Sequence, residues 1–104
     1  MNDAQRLHLF LKVLDSFVAT DAKSLGKLAN DIESVCSSIG SRSEEFDSKY
    51  FRLWDALEII GVSHQEGGTK PSAAEIADVK NLVSAFRIEV VKESEVRGSL
   101  PQAP

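Results

Sequence analysis

A glycine-rich segment is the first place in this sequence where the residue types suggest chemistry. Gly67-Gly68-Thr69-Lys70 contains the components of a phosphate-binding loop. Such a loop needs glycines spaced so that backbone N–H groups converge, followed by Lys-Ser/Thr where a helix begins after a strand. No strand pattern precedes this segment, and Pro71 follows it directly. We therefore interpret it as a flexible connector.

Cys36 and the two histidines are the next candidates for chemistry. A nucleophilic cysteine needs a neighbouring base, and the spacing places neither His8 nor His64 beside Cys36. Cys36 instead shares an apolar stripe with Ile32 and Ile39, where cysteine acts as a small buried hydrophobic residue. The two histidines lack the spacings of helical metal sites. We expect both to be solvated, and we predict no metal and no cofactor.

Two groups of carboxylates complete the chemical candidates. Asp55 and Glu58 share a helix face, as an acid–base pair would, but exposed faces of soluble helices commonly carry such pairs. Glu44, Glu45 and Asp47 fall in the first turn of a predicted helix, where negative charge interacts favourably with the helix dipole. We therefore predict no catalytic residues and no enzyme. The alternative is a small enzyme or ligand-binding domain with an unrecognised site.

Length and charge exclude several classes of protein. The chain has 104 residues, 12 basic against 16 acidic, a net charge of −4 and a pI near 5.1. This balance argues against nucleic acid as a partner, because nucleic-acid affinity depends on cations that neutralise phosphates. The apolar run Leu7–Val18 is interrupted by charges and is shorter than the ~20 residues of a membrane span. With one cysteine and no such span, we predict a cytoplasmic protein, with residues 1–98 as one domain and 99–104 as a disordered tail.

Apolar residues recur with helical spacing along almost the whole chain, which predicts an all-α helical bundle. After an N-terminal helical region, we expect helices at about 42–60 and 73–97. Capping boxes of Ser41 with Glu44 and of Ser72 with Glu75 open these two helices. Paired strands at Leu57–Val62 and Phe86–Val90 are the alternative. The expected loop is 62–71, and the expected helix stops are Gly40, Gly61 and Gly98.

The N-terminal region favours one long helix. Leu7 and Leu25 are eighteen residues apart, which is five helical turns, so the apolar stripes on either side of residue 20 are in phase. We predict a single helix from about residue 3 to 39. At 1.5 Å per residue it is about 55 Å long, so it would project beyond the core of this chain and need a partner.

The alternative is a break near residues 20–22, with Thr20 or Asp21 as the N-cap of a second helix. Replacement of Asp21 distinguishes the two architectures. In a continuous helix Asp21→Leu removes a carboxylate from the apolar seam and stabilises the protein. In a broken helix the same change removes a cap and destabilises it. We expect stabilisation.

More apolar residues are present than one face of each helix requires. Either the bundle buries wide arcs internally, or the additional residues line an interface. We predict the second: a small acidic interaction module, a homodimer, that binds and antagonises or regulates a larger protein. The predicted interface residues are Leu9, Val13, Phe51, Ile59, Ile88 and Val91.

Overall fold

A computed structural model describes residues 2–18, 21–40 and 42–96, and these residues form a bundle of four helices, which confirms the predicted all-α class. The helices are α1 (Asp3–Ser16), α2 (Ala22–Ser37), α3 (Glu44–Gly67) and α4 (Ala73–Val96). Both α1 and α3 pack against α2 and α4, so α1 and α3 lie on one diagonal of the bundle. The expected alternative of strands within 57–62 and 86–90 is wrong, because both segments are helical.

The core lies along the axis of the bundle and is centred on three aromatic rings. Phe10, Phe46 and Phe86 come from α1, α3 and α4, and their ring centroids are 5.2–6.1 Å apart in edge-to-face arrangements. Such arrangements suit the quadrupole of an aromatic ring. Around them lie further buried side chains of all four helices and of the segment between α2 and α3: Leu7, Leu14, Leu25, Leu28, Ala29, Ile32, Val35, Cys36, Ile39, Tyr50, Leu53, Leu57, Val79 and Val90.

The predicted continuous helix over residues 3–39 is wrong, and the alternative with a break is the observed structure. Helix α1 ends at Ser16 and α2 begins at Ala22, with Asp21 as its N-cap. The Asp21 carboxylate accepts a hydrogen bond from the Ser24 N–H (2.8 Å), and the Asp21 N–H donates to the Ser24 hydroxyl (3.1 Å). Asp21 is therefore an exposed cap and not a carboxylate buried in an apolar seam.

Burial explains why the chain folds back. In a continuous helix, the apolar stripes of α1 and α2 would lie one beyond the other along some 55 Å. In the bundle, Leu7 and Phe10 of α1 and Leu25 and Ile32 of α2 are all fully buried in the same core. Each such side chain contributes roughly 1.5–3 kcal/mol when it leaves water. The free energy gained by burying these side chains exceeds the free energy lost when a few residues leave the helix.

The predicted end of the third helix at Gly61 is also wrong, because α3 continues to Gly67 and the loop is confined to residues 68–72. Gly61 is buried where α3 crosses α2. A Cβ built on Gly61 would lie 3.6 Å from the Ala22 carbonyl oxygen and 3.7 Å from the Gly26 nitrogen. Both distances are ordinary van der Waals contacts, so the two helices approach closely here and still leave room for a Cβ. The helix ends at Gly68, whose φ of 65° is in the left-handed region that glycine adopts readily.

Two other predicted helix boundaries need correction. The N-cap of α3 is Ser43, whose hydroxyl accepts from the Phe46 N–H (3.1 Å), and not Ser41, which lies outside the described residues. Gly40 is not the residue with positive φ after α2, since that helix is capped by Ser38. The predicted stop at Gly98 and the tail 99–104 also lie outside the described residues.

The capping box that opens α4 is confirmed. The Ser72 hydroxyl accepts from the Glu75 N–H (3.1 Å), and the Glu75 carboxylate accepts from the Ser72 N–H (2.8 Å). Each side chain thereby satisfies a backbone donor that the helix itself leaves free. This motif is short-range, which is why the sequence alone was sufficient to find it.

Candidate interaction surfaces

The outward side of α3 combines exposed apolar and acidic residues, and we call it the acidic face. Phe51, Ile59 and Val62 are 54%, 69% and 45% exposed on this side of the helix. At 100° per residue they fall within an arc of about 80°, opposite the buried Leu53 and Leu57. Four carboxylates and no basic residue lie on the same outward side of α3, in a strip that spans about 100° of the helical wheel. The acidic face consists of Glu44, Phe51, Asp55, Glu58, Ile59, Val62 and Glu66.

The four carboxylates of the acidic face differ from the acidic groups that form ion pairs elsewhere in the bundle. None of them forms an ion pair with another residue in the described part of the chain. Elsewhere, Arg87 binds Asp15 through two nitrogens (2.7 and 3.2 Å), and Arg42 binds Asp47 (2.7 Å). These pairs connect elements of the bundle, whereas three of the four carboxylates of the acidic face are exposed and Glu58 is half-buried.

A shallow groove borders the acidic face where α2 and α3 cross. It has a volume of about 210 Å³, and Leu57 and the two glycines of the helix crossing contribute to its lining. Glu58 and Val62 belong to both the groove and the acidic face. The missing side chains at Gly26 and Gly61 therefore leave an indentation beside an exposed apolar residue.

A second groove, of about 410 Å³, lies between the end of α1 and the start of α2. Val13, Phe17 and Leu28 give it apolar walls, and Val18 beside them is 69% exposed. Val18 is the last residue of the apolar run Leu7–Val18. It is exposed because α1 ends at Ser16, so that the helical periodicity no longer applies to it.

The six predicted interface residues do not form one surface. Leu9 and Val13 are on α1, and Phe51 and Ile59 are on α3, the diagonally opposite helix. Ile88 is exposed on the outer side of α4. Val13 is half-buried against the core; Val91, the sixth residue, is half-buried on α4. The sequence did not single out Val62, although its spacing of eleven residues from Phe51, three turns, placed it on the same face.

Cys36 is buried in the core, which confirms its interpretation as a small hydrophobic residue. Loss of solvation raises the pKa of its thiol to about 11, because the thiolate is disfavoured away from water. At neutral pH this cysteine is a protonated thiol and a poor nucleophile.

His64 was expected to lie solvated in a loop, and this is wrong. It lies in the last turn of α3 with its side chain only 17% exposed. Its Nδ1 is 2.7 Å from the Thr69 hydroxyl and its Nε2 is 2.7 Å from the Glu75 carboxylate. Hydrogen bonds from the Ser72 N–H, and secondly from His64, hold the pKa of Glu75 below its usual range. These hydrogen bonds connect the end of α3 to the start of α4. His8, by contrast, is exposed.

Among the residues that the structure describes, no three His, Cys, Asp or Glu side chains are grouped as a metal site would require. None of the described helices contains a segment both long and apolar enough to cross a membrane. Comparisons with protein-family models, with curated proteins and with solved structures give no match to this chain. The acidic face and the groove between α1 and α2 are thus the surfaces on which a function can be argued.

Proposed function

We propose that this protein is a non-enzymatic interaction module that binds a larger protein and thereby regulates or antagonises it. The observation that supports the proposal is the exposure of Phe51, Ile59 and Val62 on one face of α3. Single exposed apolar residues are ordinary on a soluble protein, but a cluster on one face is typical of an interaction site. An apolar helix face docked in a groove or against another helix is a common mode of protein recognition.

The core does not require these three residues. Helix α3 already buries Phe46, Leu53 and Leu57 completely on its inward side, so its contribution to folding is satisfied there. Burial of the three exposed side chains against a partner adds apolar contact area at roughly 25 cal/mol per Å². Binding to another protein gives these residues a physical reason to be apolar.

We propose in addition that the protein forms a homodimer, with the α1–α2 groove as the contact. The long projecting helix no longer supports this dimer. The support is now exposed Val18 in the groove and exposed Leu9, which lies one helical turn before Val13 on α1. Lys27 and Asp31 at the groove are paired with each other (3.0 Å), so a second copy meets little net charge there. Light scattering should give about twice 11.4 kDa at micromolar concentration. A mass near 11.4 kDa over a wide concentration range contradicts the dimer.

The regulated partner is tested separately, by affinity capture from the cells that produce the protein. The wild-type chain should retain a stoichiometric protein, and Phe51→Ser with Ile59→Ser should lose it. The matched control is Ile88→Ser, which removes an exposed isoleucine from α4 instead of α3. Equal retention by all three proteins contradicts the proposal. A small molecule retained in place of a protein favours the alternative of a ligand-binding domain.

We place this interaction in the cytoplasm. Cys36 is an unpaired, buried thiol, so the fold does not depend on an oxidising compartment. Expression of a fluorescent fusion in the source cells tests this assignment, and a secreted or membrane-bound signal contradicts it.

A further inference from the structure

The negative charge of this protein is concentrated on one helix. Helix α3 contains six acidic and two basic residues, a net charge of −4, which equals the net charge of the whole chain. Both basic residues, Lys49 and Arg52, lie outside the strip of about 100° that defines the acidic face. The acidic face is therefore a strip of net negative charge with apolar residues inside it.

Within the described residues, these charges form no ion pairs that would stabilise the fold. Glu44 in the first turn interacts favourably with the helix dipole, but Asp55, Glu58 and Glu66 lie beyond that turn. None of the four is neutralised by an ion pair within the described residues. Like charges three and four residues apart on one helix, as at Asp55 and Glu58, destabilise an isolated helix slightly. A cationic ligand would reverse this cost.

The spacing of the acidic and apolar residues matches the dimensions of a second helix. From Glu44 to Glu66 the acidic face extends about 33 Å, at 1.5 Å per residue. Carboxylates at both ends and in the middle bracket Phe51, Ile59 and Val62. A partner helix of about 20 residues fits opposite this surface if it has a narrow apolar stripe flanked by Lys and Arg.

Charge also indicates which kind of partner binds the acidic face. A second copy of this chain would bring the same carboxylates against the acidic face, and like-charge contacts weaken an interface. Nucleic acid and anionic lipid surfaces are repelled for the same reason. We infer that the acidic face binds a basic amphipathic helix of the partner, an inference that rests on the proposed function. The groove at Gly26 and Gly61 lies beside this face, with Glu58 and Val62 in its lining.

The chain carries a convenient reporter for this interaction. Trp54 is its single tryptophan, it is half-buried, and it lies three residues after Phe51 and four before Glu58 on α3. The probe is a synthetic helical peptide of Leu and Lys, about 18 residues or five turns long, with all leucines on one face. Titration of the intact protein should give a saturable change in Trp54 fluorescence. The counterpart peptide with Glu in place of every Lys should bind at least about tenfold more weakly, a difference of 1.4 kcal/mol.

Two double variants test whether the acidic face is the binding site. Asp55→Lys with Glu58→Lys should weaken binding of the Leu-Lys peptide at least about tenfold. Asp78→Lys with Glu95→Lys changes the net charge equally but on exposed positions of α4, and it should bind nearly as well as the wild type. Circular dichroism and thermal melting confirm that each variant is folded. If both variants lose binding equally, or neither does, the inference is wrong.

Failure of the inference is distinguishable from failure of the proposed function. The same variants are compared with Phe51→Ser/Ile59→Ser in the capture of the natural partner. If the apolar variant loses the partner and the Asp55/Glu58 variant retains it, the acidic face binds a protein but not a basic helix. If the apolar variant also retains the partner, the proposed function fails and the inference fails with it.

Discussion

The two helical hairpins of this bundle, α1–α2 and α3–α4, both contribute to the core but differ in the share of their carboxylates that form ion pairs. In the α1–α2 hairpin, Asp15 is held by Arg87 and Asp31 by Lys27. In the α3–α4 hairpin, the carboxylates of the acidic face form no ion pair with any described residue. The helices also differ in length, 14 and 16 residues against 24 and 24.

This difference separates the requirements of folding from those of binding. Paired charges and buried stripes are accounted for by the stability of the bundle itself. Exposed apolar residues beside unpaired carboxylates on α3 have no such explanation within the chain. The α3–α4 hairpin is therefore where substitutions should separate stability from interaction most clearly.

The largest expected effect tests the contribution of both hairpins to the core. Ile32→Ala in α2 and Leu53→Ala in α3 each remove a fully buried side chain and should cost about 2–5 kcal/mol. Ile59→Ala, on the exposed side of α3, should change the free energy of unfolding by less than about 0.5 kcal/mol. Urea denaturation measures all three. A large loss for Ile59→Ala would show that the acidic face belongs to the core.

The next effect concerns the turn of the α1–α2 hairpin. Asp21→Leu should lower the free energy of unfolding by about 0.5–2 kcal/mol, because it removes the N-cap of α2. This is the opposite sign from that predicted for a continuous helix. Asp21→Asn keeps a capping oxygen and serves as the control. A raised denaturation midpoint for Asp21→Leu, with an unchanged slope, would restore the continuous helix.

A smaller effect is expected where the two hairpins cross. Gly61→Ala should stabilise the protein by about 0.5–1 kcal/mol, because alanine favours the helix over the unfolded chain. Its Cβ would meet α2 at ordinary contact distances of 3.6 Å or more. Gly68→Ala, at φ 65°, should instead cost about 1–2 kcal/mol. Thermal melting compares the two, and destabilisation by Gly61→Ala would mean that the helices tolerate no closer contact.

The smallest expected effect is on the pH dependence of stability. It involves Glu75, within the α3–α4 hairpin, and Asp15, whose ion pair with Arg87 connects the two hairpins. The Ser72 N–H and His64 lower the pKa of Glu75 from its usual 4.5, and hydrogen bonding to Arg87 lowers the pKa of Asp15 from 3.8. A carboxyl whose pKa is lowered by folding stabilises the protein above its unfolded pKa. That contribution is lost as the pH falls through the folded value. Asp15 is exposed and the Glu75 side chain is 34% exposed, so Glu75→Gln and Asp15→Asn should each make stability only slightly less sensitive to pH below about 4.5.

Local patterns in the sequence predicted the structure correctly where the interacting residues are close along the chain. The capping box of Ser72 with Glu75 spans four residues, and the apolar stripe around Cys36 is set by helical periodicity. The candidate site was found only in part. Phe51 and Ile59 were recognised as lying off the core stripe, but Val62 was assigned to a loop because Gly61 was taken as a stop.

The sequence by itself determined the helical class, most of the core residues and the charge of the acidic face, because these depend on residue type and on a spacing of a few residues. Tertiary structure decided where the chain reverses and which glycine ends a helix. The phase of α1 and α2 is compatible with a straight helix and with a hairpin, and only shared burial of Leu7 and Leu25 selects the hairpin. Gly61 continues its helix because α2 packs against it, a contact between residues about 35 positions apart that no local pattern records.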